Sequence, residues 1–205
     1  MRKLIMIGLC LCAMSVAAQP KWSKDAAKSI AEITKRDDAG RVLQQRTGFM
    51  VDANVVYTTY DHLAKANGVE LSVGGKTATA NRVLAADAMM DFCAFTADAA
   101  KKVSTLAVTT TTPTLTTGTE VYVLTAKECV PSTIKRIEDI KGEPYYSIAA
   151  SIAPTALGAP LFTADGTLIG MTHATDDKGT YAVAIGTLTK TRPSAMTAVG
   201  RTYAA

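Results

Sequence analysis

The chain has 205 residues, a formal net charge of +4, a hydrophobic share of 48% and a charged share of 20%, enough apolar content for one domain-sized core and too much for a disordered segment. Its lysines and arginines gather in no single block, which excludes a basic nucleic-acid arm. Short alternating runs rich in Thr and Val likewise exclude a coiled coil or a bundle of membrane helices.

Residues 1–18 read as an export signal. Arg2 and Lys3 precede an apolar run from Leu4 to Val16, and Val16-Ala17-Ala18 supplies the small residues that a signal peptidase reads. The run is shorter than the roughly 20 residues a spanning helix needs. Cys10 and Cys12 each follow a Leu, where a lipid-attachment site wants a small residue. The expected product starts at Gln19, is periplasmic or secreted, and has no membrane span. Losing Arg2 and Lys3 lowers its charge from +4 to +2, too little for long-range steering. Cys93 and Cys129 remain, without metal-ligand spacing, and are expected as two unpaired thiols.

Beyond Gln19, helical signals are confined to Ser23–Ile33, His62–Ala66 and the last dozen residues. Strands dominate. Residues 47–51 and 55–59 flank the turn Asp52-Ala53-Asn54, and Val69–Val73 alternates at period two up to Gly74-Gly75 before Lys76–Ala80 resumes. Asn81–Ala86 and Phe92–Thr96 continue the series. The Thr-rich stretch 109–119 has no amphipathic period and reads as a connector. A second group follows at Glu120–Thr125, Ser132–Ile140, Tyr145–Ile152, Thr167–His173 and Thr180–Ile185, with turns at Asp165-Gly166 and Lys178-Gly179. Two sets of about six short strands suit a pair of small antiparallel barrels: residues 19–108 in one half and 120–205 in the other.

Three stretches carry candidate chemistry: Thr58-Thr59-Tyr60-Asp61-His62-Leu63, Asp91-Phe92-Cys93-Ala94-Phe95, and Pro154-Thr155-Ala156-Leu157-Gly158-Ala159-Pro160-Leu161, the last followed by Asp165-Gly166-Thr167-Leu168-Ile169-Gly170. In this order they resemble the trypsin-like serine proteases, in particular the bacterial HtrA-type branch. There a strand ends in Thr-Asn-x-His-Val, a later strand opens with Asp-Leu-Ala-Val, and the nucleophile lies in Gly-Asn-Ser-Gly-Gly-Pro-Leu. The resemblance runs from Thr47-Gly48-Phe49 to Tyr181–Ile185. It implies an all-β fold, a double antiparallel β-barrel with short terminal helices and a cleft between the halves.

The resemblance implies His62 as general base and Asp91 as its orienting acid. At the nucleophile position stands Leu157, which has no hydroxyl. Thr155 replaces the glycine whose amide helps line the oxyanion hole, so Thr155 and Ala156 form a departed oxyanion-hole region. Loss of a nucleophile alone costs roughly 10⁶-fold in turnover, about 8 kcal/mol of barrier. Ser151, Thr172, His173 and Ala174 are implied as walls of the specificity pocket. The expected protein is therefore a protease homologue without activity that binds a protein or extended peptide. The alternative is an active endopeptidase with a displaced nucleophile, Ser147 or Ser151; a generic exported β-sandwich binding module would leave the ordered motifs unexplained. No cofactor is implied. With only two histidines and no carboxylate at helical spacing to either, no metal site is expected. Fewer than twenty residues follow Leu188, so no regulatory peptide-binding domain is expected after the barrels.

Overall fold

A computed structural model describes residues 19–63, 66, 68–98, 103–109, 113–140, 142–190 and 193–198. Residues 1–18, where the export signal is expected, and residues 199–205 lie outside the described residues. Six antiparallel strands form the first barrel: β1 (Ile30–Arg36), β2 (Val42–Asp52), β3 (Val55–Thr58), β4 (Gly68–Val73), β5 (Lys76–Asp87) and β6 (Phe92–Ala97). Their order is β5-β4-β1-β2-β3-β6, closed by pairing of β5 with β6. The 12-residue β5 serves both edges. Its start, Lys76–Thr79, pairs with β4, and from Ala80 onward it pairs with β6, with register shifts at Ala80/Arg82 and Val83/Ala85. Such shifts are how a strand bends enough to close a barrel.

The second barrel comprises β7 (Glu120–Leu124), β8 (Cys129–Ile140), β9 (Glu143–Ile148), β10 (Pro160–Thr163), β11 (Leu168–Asp176) and β12 (Gly179–Ala184), in the closed order β10-β11-β12-β9-β8-β7. A short helix, α1 (Ser23–Ala26), precedes the first barrel, α2 (Tyr60–Leu63) follows β3, and α3 (Ile185–Lys190) follows β12. The last described strand, β13 (Pro193–Ala198), returns to pair with β5.

Alternation along a strand points successive side chains to opposite faces, and on β2 the two faces meet different cores. Along β2, Met50 enters the first-barrel core with Val56, Leu71 and Phe95, whereas Phe49 joins Phe92, Met171 and Val183 in the seam between barrels. Val121, Ile134, Ile148 and Leu161 fill the second barrel. The seam continues to the N-terminus, where Trp22 packs on Phe162 with ring centroids 4.7 Å apart and on Tyr122 at 6.0 Å. Its Nε1 donates to the Ala164 carbonyl at 3.0 Å.

Two helical expectations are corrected. The segment Ser23–Ile33 is helical only to Ser29, and Ile30 begins a strand held between β2 and β4. The i, i+3 spacing of Ile30 and Ile33 suits a helix, but as a strand the segment places Ile30 in the seam and Ala31 and Ile33 in the first barrel, and that burial decides the conformation. Likewise residues 194–198, the start of the last dozen, lie in β13; the helix at this end lies earlier, in α3. Cys93, buried in β6, and Cys129 form no disulfide.

Candidate active site at the seam between the barrels

The loop carrying Leu157 is fastened to both barrels. Pro154–Ala156 forms one turn of 3₁₀ helix, and Leu157 follows in an extended conformation. The Thr47 N–H on β2 donates to the Leu157 carbonyl at 3.0 Å, and the Thr47 hydroxyl to the Thr155 carbonyl at 3.0 Å. From the other side the buried Thr172 hydroxyl donates to the Ala156 carbonyl and accepts from the Ala159 N–H, both at 3.1 Å. Gly158, at φ +87°, makes the close approach possible: a Cβ there would overlap the Thr47 carbonyl oxygen.

Position 157 of this loop carries no hydroxyl. The Leu157 side chain is half-buried against the second-barrel core. The Ala156 N–H donates to the Ala153 carbonyl at 2.8 Å and the Leu157 N–H to the Pro154 carbonyl at 3.3 Å. The Leu157 amide, one of the two donors an oxyanion hole would need there, thus closes its own turn instead of pointing at a developing oxyanion.

The second half of the site comes from the first barrel. Strand β3 ends at Thr58, whose buried hydroxyl donates to the Thr47 carbonyl at 2.9 Å. The single turn of α2 follows. Asp91, just before β6, accepts the Asp61 N–H on Oδ1 at 2.8 Å. Its backbone takes φ +48°, a region Asp enters more readily than most residues. Burial raises the Asp91 carboxyl to about 6, helped by the nearby Asp61 charge and opposed by the Asp61 and Tyr60 amides.

His62 is fully buried. Its Nδ1 lies 3.3 Å from Gln44 Oε1. The Gln44 Nε2 donates to Asp61 Oδ2 at 3.4 Å, which fixes the amide so that its oxygen faces the ring; Nδ1 therefore carries the proton. Nε2 is buried with no hydrogen-bond partner. Burial, then the Arg46 charge, lower the imidazole to about 3, so it is neutral at any physiological pH. Asp61 Oδ2 also meets Arg46 Nη2 at 3.3 Å.

The structure thus gathers Leu157, Thr155, Ala156 and Thr172 around one loop, and pairs Asp91 with the Asp61 backbone and His62 with Gln44. Ser151 is exposed, its hydroxyl donating to the Asp176 carbonyl at 2.8 Å. Ser147 sits in β9 opposite Tyr181. Neither is hydrogen-bonded to His62. His173 is the extra residue at a register shift between Thr172 and Ala174 in β11. Its ring meets Tyr145 edge-on at 5.8 Å, its Nε2 is buried without a partner, and burial lowers it to about 4. Ala174 is partly exposed nearby. Gln44, Arg46, Thr47 and Asp61 were not legible as site residues, because their roles are set by strand pairing and not by a local motif. A cleft of about 380 Å³ opens beside the loop, lined by Arg46, Thr47, Thr155 and Ala156 and by Glu32 and Lys127, whose ion pair at 3.0 Å crosses from β1 to the turn after β7. Among the described residues no three His, Cys, Asp or Glu cluster to hold a metal, and no helix is long and apolar enough to cross a membrane.

Comparison with known proteins agrees with this architecture. The Rv3671c protease of M. tuberculosis superposes in a mutant inactive form with a TM-score of 0.68 at 19% identity, covering 84% of this chain and 89% of that one. Its active form gives 0.68 at 20% identity, with 86% of each chain covered. A serine endoprotease from Yersinia pestis gives 0.70 at 17% identity, over 82% of this chain and 62% of that one. A search of curated proteins finds no match. At these identities the neighbours establish the fold, a trypsin-like double barrel. The family model for the trypsin-like peptidase domain matches residues 46–171, more than half the chain, and the chain belongs to that family.

Proposed function

We propose that this protein is an exported, catalytically inactive trypsin-like protease homologue that holds a protein or extended peptide in the cleft between its barrels. The observation that carries the reading is Leu157, an aliphatic side chain where an acyl-enzyme would have to form. The engaged amide of Leu157 and the sealed, neutral imidazole of His62 support it, since nucleophile, one oxyanion donor and base would all need rebuilding. The cleft beside Thr155 and Ala156 offers Thr hydroxyls and both signs of charge to a peptide backbone and its side chains. The alternative, a displaced nucleophile at Ser147 or Ser151, is disfavoured because no hydroxyl is hydrogen-bonded to either ring nitrogen of His62.

Incubation of the purified protein with a fluorophosphonate probe and with unfolded casein tests the reading. No covalent adduct and no cleavage are expected, with casein binding weakened by Thr155→Trp, which fills the cleft. Labelling of any residue overturns the inactive assignment. Secretion from a bacterial host with an N-terminus at Gln19 is the corresponding test of export.

A further inference from the structure

We infer that Asp61, rather than His62, occupies the general-base position of this site, so that the base as well as the nucleophile has been replaced. This deepens the trypsin-like reading above and rests on it. The first argument is register. The resemblance places the base three residues after the threonine that ends its strand, and two threonines compete for that place, Thr58 and Thr59. Strand β3 ends at Thr58. Its hydroxyl is the one tied to the Thr47 carbonyl, and the Thr47 N–H in turn holds Leu157. Counting from Thr58 reaches Asp61.

The second argument is the acid. Asp91 Oδ1 is fixed on the Asp61 N–H at 2.8 Å. A carboxylate bound to a residue's own amide lies beside that residue's Cβ, and successive side chains on a helical turn diverge by about 100°. The side chain Asp91 can orient is therefore the one at position 61.

The third argument is direction. Leu63 joins the first-barrel core and His62 is fully buried, so that side of α2 faces inward. Asp61 faces outward with its side chain 49% exposed, and its partner Arg46 lines the cleft with Thr155 and Ala156. Where an imidazole would take a proton, this site presents a carboxylate bound by Arg46 and Gln44.

The test uses the intact protein with Asp91→Asn, Asp61→His and the two combined, and follows each imidazole by ¹⁵N NMR from pH 4 to 8. The expected result is that the imidazole introduced at position 61 loses about one pKa unit when the Asp91 carboxylate is removed, while His62 stays neutral to pH 4 with or without it. His62 responding to Asp91→Asn by a unit or more, with the introduced imidazole unmoved, overturns the assignment. Should Asp61→His not fold, the Asp91→Asn comparison decides through His62 alone. A Leu157→Ser variant adds a chemical readout: fluorophosphonate labelling of that single variant, as strong as in Asp61→His/Leu157→Ser, overturns the assignment because His62 would then be serving as base. Labelling of the unaltered chain would sink the inactive-homologue reading instead, so the two failures are distinguishable.

Discussion

The Thr47 N–H and the Leu157 carbonyl, 110 residues apart in the chain, meet at 3.0 Å and join β2 of the first barrel to the key loop of the second. Gly158 sits against the carbonyl of Thr47 with φ +87°. Gly158→Ala therefore combines a left-handed backbone with a backbone overlap, and should destabilise the protein by about 3 kcal/mol. Urea unfolding measures it; a loss below about 1 kcal/mol would mean the loop is not clamped as described.

Acid should act on the two imidazoles. His62 falls from 6.5 to about 3 and His173 to about 4, in both cases chiefly by burial. Each fold-state value lies below the unfolded one, so the stability they contribute is complete above pH 6.5 and drains away as pH falls toward 3 to 4. For His62 the full effect is roughly 4 to 5 kcal/mol. His62→Gln should flatten the acid limb of the stability curve between pH 6.5 and 4; an unchanged slope would refute burial of a neutral ring.

Asp91 works in the opposite sense. Its carboxyl is raised from 3.8 to about 6, mainly by burial, so the folded state favours the protonated form. The contribution is present below pH 3.8 and lost as pH rises through 6. Relative to wild type, Asp91→Asn should gain on the order of 1 kcal/mol between pH 4 and pH 7, discounted for partial exposure. Asn also tolerates the left-handed backbone, so the comparison isolates charge. A gain in the reverse direction with pH would show that the Asp61 N–H bond outweighs burial.

Trp22 is the one tryptophan in the chain and packs on Phe162 and Tyr122. Trp22→Ala should cost about 2 to 3 kcal/mol. In the natural protein its fluorescence should change in the same transition as the far-ultraviolet signal of the barrels. An earlier, separate fluorescence change would mean that α1 detaches before the barrels unfold.

The barrels were largely readable because β4 alternates at period two and the other strands are short β-rich runs bounded by turn residues. β1 was not, since Ile30 and Ile33 also satisfy a helical spacing and only their placement between β2 and β4 distinguishes the two. β13 carried no local strand signal strong enough to compete with a terminal helix. The position of Leu157 followed from Gly158-Ala159-Pro160-Leu161, a motif read within one loop. The ambiguity between Asp61 and His62 arose from the doublet Thr58-Thr59, where sequence offers two equivalent starting points and only the hydrogen bond to Thr47 selects one.

The first and last described segments cross over. The leading segment lodges through Trp22 on β7 and β10 of the second barrel, while the trailing strand β13 is zipped to β5 of the first. Each half is therefore finished by a piece that is covalently part of the other, like a parcel tied with the opposite ends of one cord. Cutting within residues 109–119 would yield fragments that each carry their neighbour's fastening, so separately produced halves should stay unfolded alone and regain structure on mixing.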